Sequence, residues 1–590
     1  MIQLHVWDNF VFCQENIHNS MRRITFSFLI LIFISCRHKE AAELIVIHAN
    51  VYTVDTIHPF AQAFAVKAGK FMAIGSNEEI ERLKNDSTQV IDAGGKFIMP
   101  GFIEGHGHFS SLGGSLIYLN FSKTKSWKEI VAMVAEKVKQ SKPGEWIIGR
   151  GWHQEKWTEP LFASVHGYPL HDLLSEISPD NPVLLEHASG HGVFANKAAM
   201  DLAHVTKETP DPKGGAIVRD DQGNAIGMFE ETAQGIVHEV YNNYVSNLPD
   251  SVNHNLWVKK IQLASADCLK KGVTSFQDAG SSLREINDYL SMANEGKLPL
   301  RLWVMIRENS KNLQHHELDK FPIKGEGHDH LTIKAMKAMV DGALGSYGAW
   351  LLAPYADRSD KFYGQNTSDV TEIENQARLC MDHDLQLCVH AIGDRANREV
   401  LNIMEKEFTT NPGKKDLRWR IEHSQHIDTA DIPRFGQMGV IASMQAIHCT
   451  SDAPFVEKRL GLFRAKYESY PWKSLLNSGA VVTNGTDTPV EDVDPIECFY
   501  ASVTRKRADN GMEFYPEQKL TREEAIKAYT LSNAFAGFEE KTKGSISAGK
   551  LADFVILSED LIHCADSSIL KTRVLETFVG GKSASSDIYK

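Results

Sequence analysis

The sequence predicts an α/β protein organised around a (β/α)8 TIM barrel, and three observations carry the prediction. Apolar, strand-length runs alternate with helix-length stretches eight times through the middle of the chain. Short strands punctuated by glycine turns recur at both ends. Histidines and an aspartate stand at the ends of four of the eight central runs, the rim where such barrels gather their chemistry.

Residues 1–36 read as an address. Met21-Arg22-Arg23 supplies a basic start and 24–34 an apolar stretch, shorter than the ~20 residues a membrane span needs. Ser35 before Cys36 resembles a bacterial lipoprotein signal, in which the cysteine is acylated after cleavage, with Phe33 where that pattern prefers Leu. The expectation is a start at Met21, export, and a lipid anchor at Cys36 that holds the protein on a bacterial membrane facing the periplasm or the outside. A buried apolar segment is the alternative, and it would leave the protein cytoplasmic.

Segments 44–47, 63–66, 70–75 and 89–92 read as strands, and 549–557 and 577–582 have the same character. Residues 41–98 and 541–590 can therefore pair as one composite β-sandwich, although periodicity alone does not demand it. Between them, 99–540 forms the barrel. Its candidate strands are 97–106, 273–278, 300–306, 332–340, 385–392, 419–423, 440–444 and 481–487. The first two are separated by about 165 residues, which places an insertion at about 120–260, rich in Trp and His.

Composition narrows the function. Of 590 residues, 42% are hydrophobic and 24% charged, which excludes a disordered or multi-spanning chain. A formal charge of −13 argues against a nucleic-acid surface. Eight cysteines without a CxxC pair make neither a disulfide framework nor a cysteine zinc site. The 25 histidines invite a search for metal ligands.

The strongest signal is Gly105-His106-Gly107-His108 at the end of the first barrel strand. Residues two apart in an extended segment share a face, so His106 and His108 can grip one ion. Strand five ends in His390-Ala391-Ile392-Gly393-Asp394, strand six in Arg420-Ile421-Glu422-His423, and strand eight in Thr486-Asp487-Thr488-Pro489. Four histidines and one aspartate on four strand ends make two adjacent cation sites if one more bridging anion exists. Strand four offers Lys334 and Lys337, of opposite parity, so only one faces the barrel interior. Lys337 lies closer to the rim. An ammonium has no lone pair for a cation, but carbon dioxide converts a neutral lysine to an anionic carbamate that can bridge two metals. The alternative is a lysine paired with a neighbouring acid.

This set resembles the metal-dependent amidohydrolase superfamily, and within it the branch (amidohydrolase family 3) that contains N-substituted formamide deformylase. The likeness rests on the His106/His108 opening, on Lys337 before Asp341-Gly342-Ala343-Leu344-Gly345, on the stretch from His390 to Asn397, and on Glu422-His423, Ala442-Ser443-Met444-Gln445, Tyr470-Pro471-Trp472 and Asp487-Thr488-Pro489. It runs from about Leu44 to Lys582. The resemblance implies a distorted barrel beside a composite β-sandwich. It also implies one metal held by His106, His108, Lys337 and Asp487 and a second held by Lys337, His390 and His423. Two departures stand out: Thr486 where Ser is usual, and His153 where Asp is common after Gly-Trp.

The expected activity is hydrolysis of an amide, formamide or related C–N bond by a metal-activated hydroxide, with Asp487 as catalytic general base and acid. The cofactor is one or two divalent ions, zinc first among Zn, Fe, Mn and Co, with a carbamate on Lys337 if two are held. The alternative is a mononuclear deaminase of a heterocyclic amine on the same fold. Such deaminases place Glu three residues after the strand-five histidine, where this chain has Gly393. A catalytically dead binding protein is the reading from a different class; it fits poorly with a full ligand set. Trp152, His191 and Asn196 in the insertion are the candidates to line the substrate pocket, with packing of the insertion's own core as the bland alternative for the tryptophan. Glu422 and Asp394 are candidates to orient neighbouring ligands. A small molecule is the expected partner, with no nucleic acid, no membrane contact beyond the lipid anchor, and a homodimer left open.

Overall fold

The computed structural model describes residues 41–584 apart from Asn312 and Gln314. The export signal read at 21–36, with Cys36, lies outside the described residues. Within them, no helix is long and apolar enough to cross a membrane.

Two sheets form from the chain ends. In the first, Leu44–Ile47 runs antiparallel to Ala63–Lys67 and parallel to Gln89–Asp92. Ala63–Lys67 returns as Lys70–Gly75 through Ala68-Gly69, both left-handed (φ 48° and 72°), the conformation a two-residue hairpin needs. The second sheet joins both ends: Phe554–Leu557 pairs antiparallel with Phe97–Pro100, Ile556 opposite Ile98, and Val574–Val579 extends it. Alternating inward residues make the core between the sheets, including Val46, Phe64, Phe71, Ile98, Phe554 and Phe578. Phe554 and Phe578 stack with ring centroids 4.3 Å apart, and Phe64 meets Phe554 edge-on at 4.9 Å.

The central chain builds a nearly closed barrel of eight parallel strands. In order these are Phe102–Gly107, Val273–Ser281, Arg301–Ile306, Leu331–Met339, Gln386–Ala391, Arg420–His423, Ile441–Met444 and Val482–Asn484. Helices such as Asp250–Lys270, Val370–Asp382 and Asp394–Thr410 return the chain between strands. Strands one and eight share no ladder. The side chain of Asn533, from the helix Leu531–Ala536, spans the seam by donating to the carbonyls of Ile103 (2.6 Å) and Asn484 (2.8 Å). Nearer the rim, the Asp487 N–H donates to His106 O (2.8 Å) and the His108 N–H to Thr488 O (2.7 Å).

One sequence expectation is corrected here. The run 97–106 is not a single strand: Phe97–Pro100 belongs to the sandwich sheet, and the barrel strand begins at Phe102. Gly101 is the break. A Cβ there would lie 2.2 Å from Thr274 Oγ1, so only glycine can pass this point as the chain changes sheets.

The insertion folds as a six-stranded sheet ordered Gly215–Arg219, Ala225–Glu231, Gly192–Ala195, Val183–His187, Ile147–Trp152 and Leu119–Asn120. Five of the described cysteines are buried and unpaired, and Cys564 is partly exposed.

Candidate metal centre

His106 is the penultimate residue of barrel strand one and His108 caps the helix Phe109–Ser115 that follows it. Asp487 lies just past strand eight, across the seam. His106 Nε2 is 3.6 Å and His108 Nε2 3.2 Å from Asp487 Oδ1. The other oxygen, Oδ2, is 4.0 Å from Nε2 of His448. Two groups of ligand atoms therefore lie within 4.8 Å of one another, His106/His108/Asp487 and His423/His448/Asp487, and Asp487 belongs to both. The ring of His423 is 4.7 Å from that of His106 and 4.4 Å from that of His390. Lys337 Nζ stands 3.3 Å from His106 Nε2. Lys334 points elsewhere, to the Asp384 carbonyl and the face of Phe538.

His448 was not among the residues expected from sequence. It sits in the first turn of the helix Ala446–Leu460 after strand seven rather than on a strand end. The only signal was its spacing, three residues beyond Gln445.

Partners behind the histidines aim them. Glu422 Oε2 accepts from His106 Nδ1 at 2.5 Å, and Gln445 Oε1 accepts from His423 Nδ1 at 2.7 Å, which turns each Nε2 toward the centre. Arg420 holds Glu422 in turn, Nε to Oε1 at 2.7 Å, and its guanidinium also donates to Gly105 O, Ser443 Oγ and Gln277 Oε1. Burial pushes the Glu422 carboxyl up, yet Arg420, His106 and Lys337 hold it well below the usual carboxylate range. Glu104, fully buried, ties strand one to strand eight by accepting the Thr486 N–H at 2.5 Å; burial raises its carboxyl to about 8. The backbone is left-handed at His423 (φ 74°) and Asp487 (φ 57°), a conformation that non-glycine residues hold only when their surroundings enforce it.

The electrostatics favour ligands over ions. Burial, with the Lys337 charge, lowers His106 to about 4, and burial holds His390 and His423 well below the usual imidazole value. All three are neutral at pH 7 with lone pairs to offer. Burial opposes ionisation of Asp487, but His108, 3.2 Å away, and the surrounding histidines keep it well below the carboxylate range. Burial pushes the Lys337 amine down to about 8, against Glu422 and Asp487 and with help from Arg307. His390 Nε2, His448 Nε2 and Asp487 Oδ1 are buried without a hydrogen-bond partner. Unpartnered imidazole nitrogens converging with a carboxylate oxygen fit a divalent cation.

The sequence profile of the amidohydrolase family matches residues 89–584. The chain belongs to the amidohydrolase family. The protein is accordingly a hydrolase of a metal-dependent family, with the His/Asp groups above as its candidate ligands. It is 32% identical over 561 residues to Protein LONG AFTER FAR-RED 3 of Arabidopsis thaliana, covering 92% of this chain and 91% of the relative. It is 26% identical to N-substituted formamide deformylase of Arthrobacter pascens, covering 92% and 98%. An uncharacterized metal-dependent hydrolase from Pyrococcus horikoshii OT3 shares the fold with a TM-score of 0.70 at 24% identity, over 89% of this chain and 99% of that one.

The amidohydrolase's centre opens into a cavity of about 440 Å³ lined by His108, Lys337, His390, His423, His448 and Asp487, with His191 and His153 from the insertion. Two of the expected substrate residues are corrected. Trp152 is wholly buried, donates from Nε1 to Leu185 O, and packs among Trp157, Phe194 and Tyr168 in the insertion's core. Asn196 is wholly buried as the N-cap of Lys197–Leu202, with its amide donating to Ser178 and Asn181. Both are structural. His191 does reach the cavity, its ring 5.4 Å from that of His390, and Glu231 holds its Nδ1 at 2.9 Å. Asp394 orients no ligand; it accepts the Leu352 N–H at the start of Asp394–Thr410.

Asp341 was read only as part of a motif, yet it pins the rim. Fully buried, it accepts N–H bonds from Trp350, Ile392 and Gly393 at 2.8–2.9 Å, joining the loop after strand four to the end of strand five beside His390. Asp341→Ala leaves three buried donors without acceptors, a loss of about 3 kcal/mol or more. Thermal unfolding of the variant is expected several degrees below wild type; an unchanged midpoint would mean water replaces the carboxylate at no cost.

Proposed function

We propose that this chain hydrolyses a carbon–nitrogen bond of a small amide or formamide, with one or two divalent ions, zinc first among them, as cofactor. The observation that carries the reading is the Asp487 carboxylate standing between two histidine groups with the Lys337 amine beside them, at the floor of an open cavity. The name of the Arthrobacter relative, a formamide deformylase, agrees with it.

His106, His108 and Asp487 would hold one ion, and His423 with His448 or His390 a second. A divalent cation supplies Lewis acidity and a water acidified to a pKa of about 7. Lys337, its amine eased toward neutrality by burial, could add to the carbon of dissolved CO2, forming a nitrogen–carbon bond and losing the amine proton to solvent, and the carbamate would give this position an anion able to hold a cation. Asp487 takes the proton of the attacking water and returns it to the leaving nitrogen, so the same carboxylate is base and then acid. Glu422 and Gln445 keep the His106 and His423 rings in register throughout.

The deaminase alternative is disfavoured by one observation. A Cβ at Gly393 would fall 2.0 Å from the Trp350 carbonyl, so the glutamate that such an enzyme needs at this position has no room.

The test is the purified full-length protein, loaded with zinc, against a panel of N-formyl and N-acetyl amines and of amino-heterocycles. Release of a primary amine, abolished by chelator and restored by zinc, is expected. Ammonia from a heterocycle instead would overturn the amide reading, and inertness toward the whole panel would count against both.

A further inference from the structure

The cavity above the centre is lined by charged groups, and nearly all of them are already engaged. Glu186 pairs with Arg150 (3.2 Å), Glu231 with His191 (2.9 Å) and Glu491 with Lys156 (3.7 Å), while Asp452 accepts from the Tyr470 hydroxyl at 2.6 Å. Arg307 is different. Among the described residues its guanidinium has no hydrogen-bond or ion-pair partner, although it lines the same cavity as Lys337, His390 and Asp487. The side chain is exposed to solvent at the wall of that cavity.

Its placement is built rather than incidental. Arg307 follows the last residue of barrel strand three, Arg301–Ile306, on the rim that also carries the ligands. Its N–H is fixed to Ser281 O at 2.9 Å. Its stem lies against Gly280: a Cβ there would come within 2.9 Å of Arg307 Cβ and 3.0 Å of Cδ, and Gly280 holds a φ of 123° that side chains rarely adopt. The two nearby acids whose charge it feels are satisfied elsewhere. Asp278 accepts from the Phe109 N–H and Ser281 Oγ, and Glu285 from the Ser282 N–H and Ser110 Oγ. A guanidinium seated this way, with its fork free, is a receptor for a planar anion.

We infer that Arg307 determines specificity by pairing with a carboxylate on the substrate, so that the chain acts on acidic amides, with the C–N bond at the histidine–aspartate centre and the carboxylate on the guanidinium. The inference rests on the amide-hydrolase reading above and adds the substrate class. Arg307 contacts the substrate's charged end and takes no part in bond cleavage.

The test uses the N-acetyl derivatives of glycine, β-alanine and γ-aminobutyrate, each beside its matching carboxamide, because the span from centre to guanidinium selects among chain lengths. Binding is measured by calorimetry on full-length wild type, Arg307→Gln and Arg307→Lys, each zinc-loaded and chelator-treated; hydrolysis is measured separately. For at least one length, the acid is expected to bind wild type about tenfold or more tighter than its carboxamide, with or without zinc. Arg307→Gln should erase that ratio while leaving carboxamide binding unchanged, and Arg307→Lys should keep part of it. Where the acid is also a substrate, the loss in Arg307→Gln should fall on KM and not on kcat. Equal binding of acid and carboxamide overturns the inference. So does a preference that survives Arg307→Gln and vanishes with chelator, since the acid would then be contacting the ion. Acids that bind through Arg307 but are not cleaved would leave the specificity assignment standing and bring down the hydrolase reading alone.

Discussion

Asp487→Asn is expected to lower kcat on the amide found by the screen by about 1,000-fold or more, with thermal stability close to wild type. The substitution keeps shape and the backbone bond from residue 487 to His106 O, so the seam between strands one and eight is undisturbed. Under the proposed mechanism it would remove the ability to carry a proton from the attacking water to the leaving nitrogen, an effect typically worth 10²–10⁴ in rate. It also weakens the only group shared by both sets of ligand atoms, so metal content must be measured on the same sample. A variant that keeps its metal and more than about a tenth of wild-type kcat would show that Asp487 is a ligand alone and that the proton travels by another route.

Lys337→Ala is expected to bring the metal content of the purified protein, read by elemental mass spectrometry, from about two ions per chain to about one, with a loss of activity comparable to that of the aspartate variant. The argument is electrostatic. Two cations a few ångströms apart repel strongly in a buried site, and without an anion between them the second ion binds poorly. The amine, brought down to about 8, carries roughly a tenth of its population in the neutral form at pH 7. Only that form reacts with CO2, so reconstitution of chelator-treated wild type should be accelerated by bicarbonate, and more at pH 8.5 than at pH 6.5. The depressed pKa sets the sign: raising the pH through 8 increases the reactive fraction. Unchanged metal content in Lys337→Ala would demote the lysine to a positively charged neighbour of His106 and make the centre mononuclear.

The barrel was legible because each strand is a buried apolar run and each return is helix-length, a pattern that survives without tertiary knowledge. Chemistry-bearing residues at strand ends stand out by position, which is why His106, His108, Lys337, His390, His423 and Asp487 are candidates from the sequence alone. His448 does not stand out that way: it projects from a helix, and its approach to Asp487 depends on how that helix leaves strand seven. Trp152 and Asn196 were misjudged because composition marks a segment as unusual without saying which face it presents. Both turned out to serve the insertion's own packing and capping. The break at Gly101 was hidden because a strand crossing between two sheets keeps the same apolar pattern on both sides; only the Thr274 side chain against it explains the change. Arg307 gave no signal at all in one dimension, since its significance lies in what fails to pair with it.

The seam between strands one and eight has a thermodynamic corollary. His106 and His108 belong to one side of it and Asp487 to the other, and no ladder joins the two sides. An ion that needs all three ligands at once binds only the shut cylinder, so by linkage its binding free energy also opposes gaping at the seam. Cofactor retention and resistance to local opening would then be a single coupled equilibrium, and substitutions that loosen Asn533 from Ile103 and Asn484 would be expected to weaken the grip on the ion from a distance, without touching any candidate ligand.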